Sequence, residues 1–202
     1  MITIGLTGSI GMGKSTTAQL FVDEGVAVCD SDAVVHDLYR HEAVALVEAA
    51  FPGTTENGEI NRQKLGEQLR QNPANFAILE KIVHPLVRKK QENFLVAQKA
   101  AGADFAVLDI PLLFETGSED RVDVIAVVSC PPDIQRERVL AREGMTAEKF
   151  HMILARQMPD GEKRKRADFI IETGFGIGDA REQVKAVLHT LAAGQEGKTN
   201  DA

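Results

Sequence analysis

The chain has 202 residues, of which 44% are hydrophobic and 26% are charged, a composition that is ordinary for one globular domain with a full core. Its formal net charge of −7 argues against a general nucleic-acid-binding protein, and no apolar run approaches the roughly 20 residues that span a bilayer. The two cysteines, Cys29 and Cys130, are too few for a disulfide framework and wrongly spaced for zinc, so we expect a cytoplasmic protein.

The first element along the chain is a glycine-rich loop between a strand and a helix. Residues 2–7 predict a buried strand and residues 16–24 a helix, while residues 8–15 fit G-x-x-x-x-G-K-[ST], the phosphate-binding P-loop. Glycines let backbone N–H groups converge on phosphate oxygens, and the helix N-terminus adds its positive dipole end. We therefore expect a nucleotide site here. The apolar residues expected to face inward from the helix are Ala18, Leu20, Phe21 and Val22.

Separate roles follow for the residues of this loop. Lys14 can reach the β- and γ-phosphates and is a candidate catalytic residue, and the Ser15 hydroxyl can ligate Mg²⁺. ATP is the expected nucleotide. The residues expected to bind it in this segment are Gly8, Gly11, Met12, Gly13, Lys14, Ser15 and Thr16.

Two aspartates follow the second predicted strand. Residues 26–30 predict that strand, which ends in Asp30-Ser31-Asp32 before a helix that starts near Ala33. A carboxylate at this strand end can accept a proton from a substrate hydroxyl. Either aspartate could instead cap the helix, a role that suits one of the two. We assign Asp32 to the chemistry and leave the role of Asp30 open.

The segment between the second and third strands is predicted to be purely helical. Helices are expected over residues 43–51 and over residues 62–70, the latter capped by Asn61 after a turn at Asn57-Gly58. Asn72-Pro73 starts another helix, which His84-Pro85 is expected to interrupt before it continues over residues 86–100. This segment is longer than an ordinary crossover, and it therefore indicates an inserted helical lobe.

The third strand, predicted over residues 105–110, ends near a carboxylate. Asp109 follows Val107-Leu108, which is the Walker-B pattern. Ligands bind at the carboxyl edge of a parallel sheet, so Asp109 would lie near the Mg²⁺. The alternative is an ordinary aspartate at a strand end. Residues 122–130 form an almost continuous apolar run, which predicts a central parallel strand.

A basic segment follows the fourth strand. Residues 136–166 contain nine lysines and arginines against five aspartates and glutamates, in a chain whose net charge is −7. Small P-loop kinases place a mobile lid at this point, which closes over the phosphates and brings arginines to the phosphoryl group. Arg142 is the strongest candidate, because it precedes a natural hinge at Glu143-Gly144. The alternative is a solvated helix face with i,i+4 pairs.

The last elements complete an α/β pattern. Residues 168–172 predict a fifth strand, residues 180–191 a closing helix, and residues 194–202 a disordered polar tail. Strands that alternate with helices give a parallel sheet covered on both faces. We therefore predict an α/β, three-layer P-loop kinase fold with a five-stranded parallel sheet, a helical substrate-binding lobe and a mobile lid.

The chain resembles the dephospho-coenzyme A kinase family nearly from end to end. The matching segments include the P-loop, the Asp30-Ser31-Asp32 element and the His84-Pro85 pair. The most specific segment is the D-x-P-L-L-F-E run over residues 109–115. Further matches are Gln135 with Arg138 and Arg142, then Arg156-Gln157-Met158, Glu162-Lys163 and Ala167-Asp168.

The resemblance implies the reaction and several site residues. It implies ATP-dependent phosphorylation of the ribose 3′-hydroxyl of dephospho-CoA, with Asp32 as catalytic base and Arg142 as the lid arginine. It adds Arg138 and Thr173 to the ATP site, where Thr173 stands at a position at which the family commonly has Asn. The metal ligands would be Ser15 and Asp109. The acceptor-binding residues would be Thr7, Asp32, His84, Leu112, Phe114 and Glu115.

The resemblance also implies a division of the chain into three parts. The nucleotide-binding core would comprise residues 1–42, 103–141 and 167–193, the acceptor-binding lobe about 43–102, and the lid about 142–166. Two alternative functions stay open, namely another small-molecule kinase of the nucleoside-monophosphate-kinase-like group and a non-catalytic nucleotide-binding regulator. We expect a monomer or a small homo-oligomer without nucleic-acid or membrane partners.

Overall fold

A computed structural model describes residues 1–199 of the chain, with side chains through residue 194. The strands in this range are β1 (Ile2–Thr7), β2 (Ala27–Asp30), β3 (Thr55–Glu56), β4 (Glu59–Ile60), β5 (Phe105–Asp109), β6 (Val124–Ser129) and β7 (Phe169–Glu172). The helices are α1 (Lys14–Asp23), α2 (Ser31–Leu38), α3 (Val44–Ala50), α4 (Arg62–Gln71), α5 (Ala74–Ala100), α6 (Pro132–Leu140), α7 (Ala147–Leu154), α8 (Asp160–Lys165) and α9 (Ile177–Thr199). None of these helices is long and apolar enough to cross a membrane.

Five of the strands form one sheet in the order β2-β5-β1-β6-β7. The pairs β1–β5, β1–β6 and β6–β7 are parallel, and Ile4 lies in register with Val107 and Val124. Ile4 and Val107 are fully buried, as expected for strands covered on both faces. The predicted five-stranded parallel sheet is confirmed. Because parallel strands end at one edge, the residues that follow β1, β5, β6 and β7 share that edge.

The chain divides into two compact units, residues 1–29 with 98 onward and residues 30–97. In the first unit, Leu20 and Phe21 of α1 join the core that packs on the sheet. Val22 is 47% exposed, so its expected inward orientation is wrong. The reason is helical geometry, since Leu20 and Phe21 already fill the narrow stripe that a short helix turns towards a sheet.

The carboxyl-terminal part of the first unit contains more helix than the sequence indicates. The sequence indicates a helix over residues 146–157 that Pro159-Asp160-Gly161 ends, whereas in the structure the short helix α8 begins directly after Pro159. Pro159 is its N-cap, and a proline is tolerated at a helix start because the first N–H groups of a helix have no partner within it. The helix α9 continues past the expected end at residue 191 to Thr199, because Ala192-Ala193 favours helix. Of the expected disordered tail, residues 194–199 are therefore helical and residues 200–202 lie outside the described residues.

The second unit packs its helices around a separate apolar core. Leu38, Val47, Phe51, Leu65 and Leu69 are buried in it. Asn61 caps α4 as predicted, since its side chain accepts hydrogen bonds from the N–H groups of the second and third helical residues.

Two features of the second unit differ from the expectation. The segment is not purely helical, because β3 and β4 pair antiparallel around Asn57-Gly58, where both residues adopt the positive φ that a tight hairpin requires. The helix α5 continues through Pro85 rather than breaking there. Ile82 and Leu86, on either side of the proline, pack against the core, and this burial offsets the roughly 3 kcal/mol cost of an internal proline.

Candidate active site

The P-loop connects β1 to α1 at the carboxyl edge of the sheet. Gly11 and Gly13 have φ values of 79° and 96°, in the left-handed region that favours glycine. Gly8 is required for a different reason, since a Cβ there would lie 2.7 Å from the carbonyl oxygen of Val128. Glycine is therefore needed at three positions of the predicted loop, as expected for a P-loop.

Lys14 and Asp109 form an ion pair at the base of this loop. Lys14 is the first residue of α1 and Asp109 the last residue of β5, the strand next to β1. The side chain of Asp109 is only 3% exposed and that of Lys14 14%. Ser15 follows in the first turn of α1 and is exposed. Lys14 and Asp109, which the sequence assigned to phosphate and to metal, are thus brought into direct contact.

Three side chains hold the P-loop from outside. Gln135 Nε2 donates to the carbonyl oxygen of Ile10 at 2.8 Å, and the N–H of Ile10 donates to Gln157 Oε1 at 3.1 Å. The hydroxyl of Thr173 donates to the carbonyl oxygen of Met12 at 2.6 Å. Sequence reasoning missed these supporting roles of Gln135 and Gln157, although both residues belong to segments that match the family.

Arg138 and Thr173, both assigned to the ATP site, contact each other. One guanidinium nitrogen of Arg138 donates to Thr173 Oγ1 at 2.9 Å, and the other donates to the Thr173 carbonyl oxygen at 2.8 Å. Thr173 follows β7 and is 7% exposed. Thr173 is therefore hydrogen-bonded both to the P-loop, at the Met12 carbonyl oxygen, and to the guanidinium of Arg138.

The residues that follow β5 pack mainly into the first unit. Thr7 Oγ1 donates to the carbonyl oxygen of Pro111 at 3.2 Å. Phe114 is buried, whereas Leu112 is 41% exposed. Glu115 Oε1 accepts a hydrogen bond of 2.7 Å from the N–H of Met158 and lies 2.9 Å from Lys163 Nζ. The carboxylate of Glu115, predicted to bind the acceptor, is thus engaged by the segment that contains α8.

The predicted lid arginine, Arg142, lies two residues after the end of α6 and is exposed. Gly144, the expected hinge, has a φ of 69°. Arg142 therefore lies in the short loop between α6 and α7, two residues before this glycine. The geometry is compatible with a lid role.

The two aspartates after β2 differ in environment. Asp30 caps α2, since its Oδ1 accepts from the N–H groups of Asp32 and Ala33 at 2.8 and 3.2 Å. The side chain of Asp32 makes no such cap; it is exposed in the first turn of α2 and lines a cavity of about 520 Å³ within the second unit. The sequence left the role of Asp30 open, and the structure assigns the cap to it.

This cavity, which we call the helical-unit pocket, has apolar walls and a few polar groups. Its polar lining is Asp32, Tyr39 and Arg62, and the Arg62 guanidinium lies 5.6 Å from the centroid of the Tyr39 ring. Burial raises the pKa of the Tyr39 phenol. The remaining lining residues are Val35, Leu65, Gly66, Leu69 and Leu79. His84, assigned to the acceptor by the resemblance, is exposed on α5 and is not among the lining residues.

The residues of the helical-unit pocket other than Asp32 were not predicted from the sequence. Tyr39 and Arg62 are far apart along the chain and belong to no short motif. The pocket size and its apolar walls with a small number of polar groups are typical of small-molecule sites. Among the residues whose side chains are described, no group of three or more His, Cys, Asp or Glu forms a metal cluster.

Comparison with known proteins gives one consistent family. A family model described as Dephospho-CoA kinase matches residues 2–179. A dephospho-CoA kinase of Agrobacterium fabrum is 67% identical over 193 residues, which cover 96% of this chain and 100% of that protein. A solved structure from Thermus thermophilus has a TM-score of 0.82 at 36% identity and covers 94% of this chain and 97% of its own. A solved dephospho-CoA kinase from Campylobacter jejuni has a TM-score of 0.73 at 27% identity, covering 96% and 98%.

Proposed function

The chain belongs to the dephospho-CoA kinase family, and on that premise we propose that it transfers the γ-phosphoryl group of ATP to the ribose 3′-hydroxyl of dephospho-CoA, giving CoA and ADP. The observation that supports this reaction most directly is the combination of a P-loop with a second pocket that contains a carboxylate. A kinase needs both, because one site must hold the phosphates and another the acceptor. The first feature is in residues 8–15 and the second is lined by Asp32.

Lys14, Ser15 and Asp109 form the proposed phosphate and metal part of the site. Carboxylate and hydroxyl oxygens suit Mg²⁺, which binds few protein ligands and completes its shell with phosphates and water. Ser15 and Asp109 would hold that ion, whose charge neutralises the β- and γ-phosphates when it is bound. Lys14 supplies a second positive charge at the same place, and its contact with Asp109 keeps both charged groups balanced before ligands bind.

Asp32 is the proposed general base. Its carboxylate lines the helical-unit pocket, and its neighbour Asp30 already caps α2, so the carboxylate of Asp32 is not required for the cap. A carboxylate within hydrogen-bond reach of the 3′-hydroxyl would orient that oxygen and accept its proton. The acceptor carries phosphate groups and a flat base, and Arg62 and Tyr39 give the pocket a cation and an aromatic face for these.

Arg142 is proposed to stabilise the transferring phosphoryl group when the lid closes. It is exposed and lies two residues before Gly144, the expected hinge, which supports this role. We further propose that the protein works in the cytoplasm as a monomer or small homo-oligomer, without nucleic-acid or membrane partners. The acidic net charge of −7 supports the absence of nucleic acid.

The direct test is an ADP-release assay with ATP, Mg²⁺ and a panel of hydroxyl acceptors that includes dephospho-CoA. We expect ADP release only with dephospho-CoA, and a product phosphorylated at the ribose 3′ position by mass spectrometry. Faster release with a nucleoside monophosphate or a sugar acid would favour another small-molecule kinase. ATP consumption that no acceptor accelerates would favour the nucleotide-binding regulator.

A further inference from the structure

Two carbonyl groups of the P-loop are held by buried polar side chains. The carbonyl oxygen of Ile10 accepts from Gln135 and that of Met12 accepts from Thr173, at 2.8 and 2.6 Å. Gln135 and Thr173 are 6% and 7% exposed. Since burying a polar group is unfavourable unless it is hydrogen-bonded, these contacts fix the orientation of both peptide groups.

The orientation of a carbonyl determines that of the following N–H. A trans peptide is planar, and its C=O and N–H point to opposite sides; the described residues contain no cis peptide. Holding the Met12 carbonyl on Thr173 therefore directs the N–H of Gly13 away from Thr173, and Gln135 does the same for Gly11. Within the described residues, neither of these N–H groups donates a hydrogen bond. The loop thus presents two free donors, each directed away from the side chain that holds the preceding carbonyl.

Thr173 acts on a second group as well. Its hydroxyl and its carbonyl oxygen both accept from the guanidinium of Arg138, at 2.9 and 2.8 Å. The hydroxyl has a single proton, for which the Met12 carbonyl oxygen at 2.6 Å is a nearer acceptor than the Ser129 carbonyl oxygen at 3.3 Å, and it accepts from Arg138. The fit is close, because a Cβ on Gly13 would lie 3.0 to 3.2 Å from three side-chain atoms of Thr173.

We propose that Thr173 is a positioning residue for the nucleotide phosphates. Its hydroxyl sets the Met12–Gly13 peptide and the Arg138 guanidinium, so that an N–H donor and a cation are oriented before an anionic phosphate arrives. Such preorganisation raises affinity because the groups need not be ordered on binding. The inference rests on the proposed function only in that ATP is the nucleotide. Thr173 acts through the loop and Arg138 rather than by touching the nucleotide.

The test compares Thr173→Val, which removes the hydroxyl at nearly constant shape, with Thr173→Ser, which keeps it. ATP binding is measured by calorimetry, and KM and kcat by ADP release. We expect Thr173→Val to raise the Kd and KM for ATP about tenfold, the effect of losing roughly one well-formed hydrogen bond, with the KM for dephospho-CoA unchanged. Thr173→Ser should bind ATP within about twofold of the unmodified protein, a difference well below the loss of one hydrogen bond.

Thr54→Val is the matched control. Thr54 is fully buried and its hydroxyl also donates to a backbone carbonyl, that of Phe51 at 2.8 Å, but in the second unit. We expect the Thr54→Val substitution to lower the melting temperature without changing the Kd for ATP. The inference is overturned if Thr173→Val binds ATP as the unmodified protein does, if Thr54→Val weakens ATP binding equally, or if Thr173→Ser does not restore it.

Two further comparisons keep the result unambiguous. Should Thr173→Val not fold, Thr173→Ser and Thr173→Ala differ only in the hydroxyl and give the same contrast. We then expect weaker ATP binding in the alanine variant alone, and equal binding would overturn the inference. If the unmodified protein does not bind ATP, the proposed function fails. If it binds ATP and the hydroxyl has no effect, only the role of Thr173 fails.

Discussion

Asp30 and Asp32 are two residues apart, and their carboxylates lie in different environments. The carboxylate of Asp30 accepts hydrogen bonds from two backbone N–H groups at the start of α2. Asp32 is exposed and lines the helical-unit pocket. The same residue type at neighbouring positions therefore separates into a structural cap and a group that can meet a substrate, and a pair of isosteric substitutions can distinguish them.

We expect Asp32→Asn to lower kcat by about 10²-fold or more, the usual size of a general-base effect. Asparagine keeps the shape and removes the charge, so the Kd for ATP should change little. Steady-state ADP release with dephospho-CoA and calorimetric ATP binding measure the two quantities.

Asp30→Asn is the control for this substitution. Asparagine caps helices about as well as aspartate, so this variant should fold and keep kcat within a few-fold. A loss in Asp30→Asn equal to that in Asp32→Asn would show that the base has been assigned to the wrong residue or that both carboxylates act together.

Arg142→Ala tests the lid at the level of one residue. We expect kcat to fall by roughly 10³-fold, as for other arginines that meet the transferring phosphoryl group, while the Kd for dephospho-CoA stays within a few-fold. Arg136→Ala is the matched control, because Arg136 is an exposed arginine of the same segment, on α6. Equal kcat values for the two variants would leave Arg142 as an ordinary surface charge.

At the scale of elements, α2 and α4 supply the polar walls of the helical-unit pocket. Tyr39 directly follows α2 and is the single tyrosine of a chain that has no tryptophan. Its emission therefore reports on this pocket alone. We expect dephospho-CoA to change Tyr39 fluorescence in a saturable way, while ATP at its own saturating concentration leaves it unchanged. A response to ATP only would place the acceptor elsewhere.

Arg62→Ala tests the same pocket through its affinity for dephospho-CoA. Removing the cation that we propose to pair with phosphate should raise the Kd for dephospho-CoA about tenfold, since hydrogen bonds to charged groups contribute about 1.5 kcal/mol or more. Lys64→Ala is the control, because Lys64 is an exposed cation on the same helix that faces Glu56 rather than the pocket. Equal weakening in both variants would indicate a general charge effect.

The sheet was easier to predict from the sequence than the helices. Each strand of the large sheet lies within two residues of its expected bounds, because buried parallel strands are short apolar runs ended by polar residues. The predicted interruption of a helix at Pro85 was wrong, and the helix α8 was not predicted. Both errors came from applying a local rule for proline. Tertiary packing decides the outcome at Pro85, and the start of a new helix decides it at Pro159.

For the site as well, residues that local sequence patterns mark were predicted, and residues that only tertiary packing brings together were not. Lys14 and Asp109 were expected at one sheet edge from a motif and a strand end, and they are in contact. Tyr39 and Arg62 were not found, because they meet only when α4 packs beside the end of α2. No spacing rule connects residues that tertiary structure alone brings together. The other site assignments stay predictions that the variants above test.

At the scale of the whole molecule, the residues proposed for the two ligands belong to different compact units. The P-loop lies in residues 1–29 and the helical-unit pocket in residues 30–97. We expect ATP alone to slow hydrogen exchange in residues 8–15, and dephospho-CoA alone to slow it in α2 and α4, because a ligand stabilises the elements that it contacts. Mass spectrometry of peptides measures this. Equal protection of both units by ATP alone would contradict the assignment.

The ammonium of Lys163 is buried, so the rate at which it reacts with a reagent reports how often the surrounding segment opens. Its side chain is 0% exposed and lies 2.9 Å from Glu115, whereas Lys165 on the same helix is 71% exposed. An acylating reagent can therefore reach Lys163 only while this segment is briefly open. We expect Lys163 to be acylated at least about 10²-fold more slowly than Lys165, and ATP to slow it further if the segment closes with the nucleotide. Comparable rates for both lysines would mean that the segment opens freely.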